Sequence, residues 1–160
     1  MSIRTVLTVA IAGAALAACG HDGLRASLPA SGLGLFFNDQ GADVALAYGR
    51  AGSDDVGLML QCRKGAGTVT VSDVLRQAPA PQLVLSSGGG RSVLSATVQP
   101  GQSAEPRIVE ADAAVDAPAL QGLRRSGRIE VAYGEVRYSV RASAEEKAGV
   151  DRFFSACQTA

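Results

Sequence analysis

The sequence has no tryptophan, and aromatic residues make up only 4% of it. Ring platforms for stacking sugars or bases are therefore in short supply. There is one histidine, His21, near the N-terminus. The rest of the chain thus has no imidazole to serve as the base of a serine or cysteine nucleophile, and no G-x-S-x-G motif is present. Charge of one sign is not in excess, with 15 basic and 15 acidic residues. The basic footprint of a nucleic-acid-binding protein is missing. Beyond the first eighteen residues no apolar segment approaches the length needed to span a bilayer.

The N-terminus carries a clear pattern. Met1-Ser2-Ile3-Arg4 is short and bears one positive side chain, and residues 6–18 are an apolar run rich in Ala and Val. The run is too short for a comfortable membrane span and reads as a secretory signal. It ends in Leu16-Ala17-Ala18-Cys19, which resembles the lipobox of bacterial lipoproteins. The resemblance implies diacylglyceryl transfer to the Cys19 thiol, cleavage before Cys19 and acylation of the new amino terminus. Several acyl chains, palmitate among them, make a stable anchor where one would bind marginally. An Asp after the lipidated Cys retains enterobacterial lipoproteins at the inner membrane. Gly20 stands there in this chain, so the resemblance points to the outer membrane, facing the periplasm. Cleavage near Ala18 without a lipid is the plain alternative.

With Cys19 taken by the lipid, Cys62 and Cys157 remain, an even number for an oxidising compartment. A disulfide between them would close a loop of 157 − 62 = 95 positions, worth about 4 to 5 kcal/mol in the chain-entropy model. The competing readings are two buried thiols or a redox pair, although no CxxC is present.

Removing residues 1–18 from 160 leaves 142, enough for one domain with its own core. Residues 19–32 hold the lipidated Cys and a flexible stalk, which at thirteen coil residues reaches on the order of 20 Å. Residues 33–160 form a single domain. Its pattern has period two, as strands require. A strand over 33–37 is expected to end at Asn38-Asp39-Gln40-Gly41. Val44, Leu46 and Tyr48 then share a face, as do Val56, Leu58, Leu60 and Cys62, with a turn at Gly52-Ser53-Asp54-Asp55. A β-branched strand follows over 68–72. Residues 77–81 break the pattern. Segments 82–86 and 92–99 form a hairpin around Ser87-Gly88-Gly89-Gly90, residues 100–106 a polar loop, and 107–112 a further strand. Asp116-Ala117-Pro118 caps and starts a short helix that Gly127 stops.

Residues 128–133 and 135–141 make the clearest hairpin. A Gly-first turn at Gly134-Glu135 suits type II′. That register pairs Tyr133 with Val136, Val131 with Tyr138 and Ile129 with Val140, all on one face. The last element is a helix. Ser143 and Glu146 form a capping box, and Val150, Phe153, Phe154 and Cys157 fall on one helical stripe. Cys157 thus points to the same core as Cys62. The fold expected is mainly β (α+β): an antiparallel β-sandwich or partly open barrel with a C-terminal helix packed on it.

Most chemical motifs are better explained structurally. Gly88–Gly90 fits no nucleotide loop, and Asp54-Asp55 lacks EF-hand spacing. Zinc has too few ligands once the cysteines are assigned, so neither a metal nor another cofactor is expected. Ser with Lys64 or Lys147, or a pair among Glu105, Glu110 and Asp112, remains the route to catalysis. The arginines carry more weight. Arg124, Arg125, Arg128, Arg137 and Arg141, with Glu130 among them, could converge on one face. Such a patch suits an anionic envelope component or an acidic protein surface. The alternative is an ordinary solvated sheet face.

Over residues 118–157 the order of short helix, Gly, paired strands and terminal helix is similar to small envelope accessory proteins of secretion and invasion loci. Small periplasmic lysozyme inhibitors are also disulfide-bonded β proteins on lipid anchors, with a Ser-Gly-x-x-Tyr loop. Here Ser126-Gly127 is followed by Arg128-Ile129-Glu130, and Tyr133 comes too late. No functional residue carries over from either. The expected function is a non-catalytic binding or envelope-assembly accessory, tethered to the membrane by its lipid, with no nucleic-acid partner. An apolar-ligand or lipid-binding β domain is the alternative, and an envelope hydrolase a third. A cleft holding buried carboxylates would mark that hydrolase.

Overall fold

The computed structural model describes residues 32–75, 82–99 and 107–158. The signal segment, Cys19, His21, the break at 77–81 and the loop at 100–106 with Glu105 lie outside the described residues. In chain order the elements are β1 (Leu33–Gln40), β2 (Asp43–Arg50), β3 (Val56–Arg63), β4 (Thr68–Leu75), β5 (Gln82–Ser87), β6 (Gly90–Ser95), β7 (Thr97–Gln99), β8 (Arg107–Ala114), α1 (Pro118–Ser126), β9 (Arg128–Tyr133), β10 (Val136–Arg141) and α2 (Ala144–Cys157).

The strands form two antiparallel sheets. The larger has order β1-β2-β3-β4-β8-β7 and the smaller β10-β9-β5-β6, and neither closes into a barrel. This is a mainly β sandwich with a C-terminal helix. Strand alternation sorts the side chains. In the larger sheet Leu35, Tyr48, Leu58, Asp73 and Val109 lie in one cross-strand row, and Phe37, Leu46, Leu60, Val71 and Ala111 in the next. In the smaller sheet Leu83, Leu85, Ile129, Val131, Tyr133 and Val140 face the same core. The β9–β10 pairs are Tyr133 with Val136, Val131 with Tyr138 and Ile129 with Val140, and Gly134 supplies the positive φ of the turn.

Helix α2 starts at a reciprocal capping box: the Ser143 N–H donates to Glu146 Oε2 at 2.8 Å, and the Glu146 N–H to Ser143 Oγ at 3.3 Å. Val150, Phe153, Phe154 and Cys157 are fully buried. Each large apolar side chain so placed contributes about 1.5 to 3 kcal/mol. The helix packs on β1 and β2. Cys157 is bonded to Cys62 on β3, with 5.8 Å between their Cα atoms. Helix α1 packs on β5, β6 and β9. Gly122 makes that approach possible, because a Cβ there would sit 2.2 Å from the Ser87 carbonyl oxygen.

Four local expectations are corrected. β1 runs on through Asn38-Asp39-Gln40, and the chain turns at Gly41-Ala42 instead. The Gly41 N–H donates to Asp39 Oδ1 at 3.1 Å, so the polar residues stabilise the strand end without terminating the strand earlier. β4 continues past Ser72 to Leu75, because β8 pairs along its whole length. Segment 92–99 is not one strand. β6 pairs with β5, whereas β7 crosses to the larger sheet and pairs with β8. Asp116 does not cap α1. Ala117 occupies the cap position without a side-chain bond, and Ser92 Oγ, from β6, accepts the Ala119 N–H at 3.2 Å.

Candidate functional site

The arginines are sorted by the strands that carry them. Arg128 and Arg141 are directly opposed across β9 and β10, and Arg137 opposes Ala132. All three are exposed on the outer face of the smaller sheet. Continuing the register, Ser139, Glu130, Ser86 and Arg91 form one cross-strand row, and Arg137, Ala132, Val84 and Val93 the next. Arg91, on β6, thereby joins the face. Sequence spacing gave no hint of it, because β5–β6 and β9–β10 become neighbours only through the β5–β9 pairing. Arg128, Arg141 and Arg91 border a groove of about 690 Å³ beside the Gly88–Gly89 turn. Arg91 and Arg137 flank a second hollow of about 310 Å³. Glu130 stands between them and pairs with Arg137 at 3.5 Å.

Two predicted members are placed elsewhere. Arg124 Nη2 donates to Ser155 Oγ of α2 at 3.2 Å, so it links the helices. Arg125 is exposed at the end of α1 and is not part of the groove wall. Below the groove, the Arg128 N–H donates to Ser126 Oγ at 3.1 Å, and Ser87 Oγ donates to the Arg128 carbonyl. These bonds fix the start of β9 and hence the direction of Arg128. The face holds four guanidinium groups against one carboxylate, with Val93 48% exposed beside them. Arginine mixed with exposed apolar surface is the composition of protein interfaces.

A second site has no counterpart in the expectations. At one end of the sandwich, where β1 and β3 begin and β2 and β4 end, the β9–β10 turn leaves a slot of about 280 Å³. Tyr48, Asp73, Tyr133 and Tyr138 line it, with Leu33, Val74 and Val136, and Arg50 and Asp55 stand at its mouth. A register irregularity at Tyr48/Gly49 lies beside it, a common place for a β-bulge. Asp73 is only 4% exposed and is the one buried ionisable carboxyl among the described residues. Tyr138 Oη, from the other sheet, donates to Asp73 Oδ2 at 2.5 Å. Burial, the Asp73 charge and this bond push the Tyr138 phenol far above its ordinary value of 10.0, so it stays a donor. At the mouth Arg50 pairs with Asp55 at 3.8 Å, both more than half exposed. Asp73 had a sequence signal. Val69, Val71 and Asp73 alternate, so a strand extended by one residue carries the carboxylate into the core.

The remaining candidates are held in other contacts. Lys64 pairs with Asp39 at 2.8 Å and Lys147 with Asp151 at 2.7 Å. Asp112 accepts the Thr70 hydroxyl at 2.6 Å and Glu110 the Ser72 hydroxyl at 3.5 Å, on the outer face of the larger sheet. Among the described residues no three His, Cys, Asp or Glu side chains gather as a metal site. No helix among them is long and apolar enough to cross a membrane. The chain matches no protein-family model, no curated protein and no solved structure.

Proposed function

We propose that this protein is a lipid-anchored periplasmic lipoprotein of the outer membrane that acts as a non-catalytic binding or assembly accessory, docking an acidic protein surface on the outer face of its smaller sheet. One observation carries the docking face. Arg91, Arg128, Arg137 and Arg141 share an exposed sheet surface with Val84, Val93 and Ala132. A guanidinium presents a planar fork of donors to carboxylates, and a rigid sheet holds several at fixed spacing. Strands about 4.8 Å apart put neighbouring forks within reach of a single acidic segment. The tether rests on Leu16-Ala17-Ala18-Cys19, and the cross-link between Cys62 and Cys157 suits an oxidising compartment.

The test is photocrosslinking in intact cells, with reactive residues at Arg91, Arg137 and Arg141 and, on the outer face of the larger sheet, at Asn38 and Gln61. One discrete acidic protein captured only from the arginine positions supports the proposal. Equal products from both faces, or none from the arginines, overturn it. Labelling with an alkyne analogue of palmitate, expected for the native chain and absent in Cys19→Ala, tests the anchor separately.

A further inference from the structure

We propose that the acidic partner docks by strand addition: an extended segment pairs with the open edge of β10 and extends the smaller sheet, with acidic side chains opposite Arg137 and Arg141. This deepens the docking reading above and rests on it.

Ladder geometry opens the edge. β10 ends the order β10-β9-β5-β6, and no strand among the described residues lies on its other side. The tight turn makes Tyr133 and Val136 a hydrogen-bonded pair, so Val131 with Tyr138 and Ile129 with Val140 are hydrogen-bonded pairs as well. The Ala142 N–H donates to the Gly127 carbonyl at 2.7 Å in the same alternation. Arg137, Ser139 and Arg141 therefore turn their N–H and C=O groups away from β9, toward the open edge. All of them are exposed. Such a row is a template for another strand, and main-chain bonds give strand addition its affinity.

Side chains choose the occupant. Arg137, Ser139 and Arg141 alternate onto the outer face. The two arginines stand about 13 Å apart along the strand, at about 3.3 Å per residue. Glu130 engages Arg137 at Nε, and a guanidinium has about five N–H donors, so a second carboxylate still finds a fork. Arg141 has no ion pair among the described residues. On the inner face Val136 and Tyr138 are half-buried and Val140 is buried. The matching segment thus alternates, with acidic residues on one side at the arginine spacing and apolar residues between them on the other. A second copy of β10 does not match. Laid antiparallel about Ser139, it sets Arg137 against Arg141, and like charges directly opposite destabilise a pair. The other edge strand, β6, carries Arg91 as its only charge and leads into β7 of the larger sheet, so it fixes no acidic register.

The experiment is fluorescence polarisation of the full chain with a labelled, end-blocked peptide, Thr-Asp-Val-Thr-Val-Asp-Thr. Saturable binding is expected, at least about tenfold tighter than for the same peptide with Asn in place of Asp. Arg137→Gln with Arg141→Gln should weaken it at least about tenfold. Backbone N-methylation separates strand addition from docking by side chains alone, because the N–H groups of a paired strand alternate between its two edges. Methylating the central Thr and methylating the Val residues should give opposite results, a loss of at least about tenfold for one peptide and under about threefold for the other. Ser139→Pro keeps every arginine and removes an edge donor that β9 does not use, where strands tolerate proline. It should weaken binding at least about tenfold while the melting curve stays cooperative. Equal effects of the two methylated peptides, or unchanged binding to Ser139→Pro, overturns strand addition; if the arginine substitutions still weaken binding, the docking reading stands. Indifference both to those substitutions and to Asn in the peptide overturns both. No saturable binding overturns strand addition and leaves Arg137 and Arg141 as charges that keep the edge unpaired.

Discussion

Replacing Tyr138 with Phe tests whether the part-buried Asp73–Tyr138 bond joins the two sheets. The ring stays and only the hydroxyl is lost, so packing against the core is preserved. The lost bond goes to an ionised group, and such bonds contribute about 1.5 to 3 kcal/mol. At pH 7 the urea unfolding free energy of the oxidised protein should fall by that amount. A second readout comes from pH. The folded-state phenol titrates far above the ordinary value of 10.0, whereas in the unfolded chain it titrates near that value. Below pH 10 both states hold the proton, and the stabilisation is fully present. Above pH 10 the unfolded state loses the proton first and is favoured, so stability declines by about 1.4 kcal/mol per pH unit until the folded-state value is reached. At pH 11 wild type should therefore have lost about 1.4 kcal/mol that Tyr138→Phe cannot lose, and the gap between them should narrow by that amount. Other groups titrate in both proteins and cancel in the difference. A variant as stable as wild type at pH 7, with a gap unchanged at pH 11, would refute the reasoning.

Thiol titration of the denatured, unreduced protein should find neither Cys62 nor Cys157 free, and Cys62→Ala with Cys157→Ala should lower the urea unfolding free energy by about 4 to 5 kcal/mol, since the bond closes 95 positions; labelling of both thiols would sink the bridge. Gly122→Ala should destabilise by about 1 to 3 kcal/mol in thermal or urea melts, although Ala is the better helix former. Its Cβ would meet the backbone of Ser87 at 2.2 Å, and backbone cannot swing away as a long side chain can. A neutral result would mean that α1 shifts freely on β5.

Sequence pattern carried furthest where local chemistry and burial agreed. The β9–β10 register follows from a Gly-first turn and six apolar residues on one face, and the turn leaves only one pairing that buries them all. Helix α2 announces itself by the Ser143–Glu146 box and the Val150–Cys157 stripe, both local in the chain. The strand ends were less legible. Asn38, Asp39 and Asp73 look like turn residues, yet their ladders are completed by β2 and β8. The hand-over of the chain from β6 to β7 also left no mark, because alternation continues through it while the pairing partner changes.

The arginine face was half legible for the same reason. Arg128, Arg137 and Arg141 sit on one hairpin, so period two and the turn register together place them on one face, whereas Arg91 joins through the β5–β9 ladder and Arg124 is drawn away to Ser155 on α2. By itself the sequence determined the strand faces, the terminal helix and the two cysteines aimed at one core. These depend on periodicity, turn chemistry and composition, which act over a few residues. Only the tertiary structure decided which faces meet. The slot is built from Asp73 and Tyr138, 65 positions apart, and their contact depends on how two sheets stack, which no local spacing encodes.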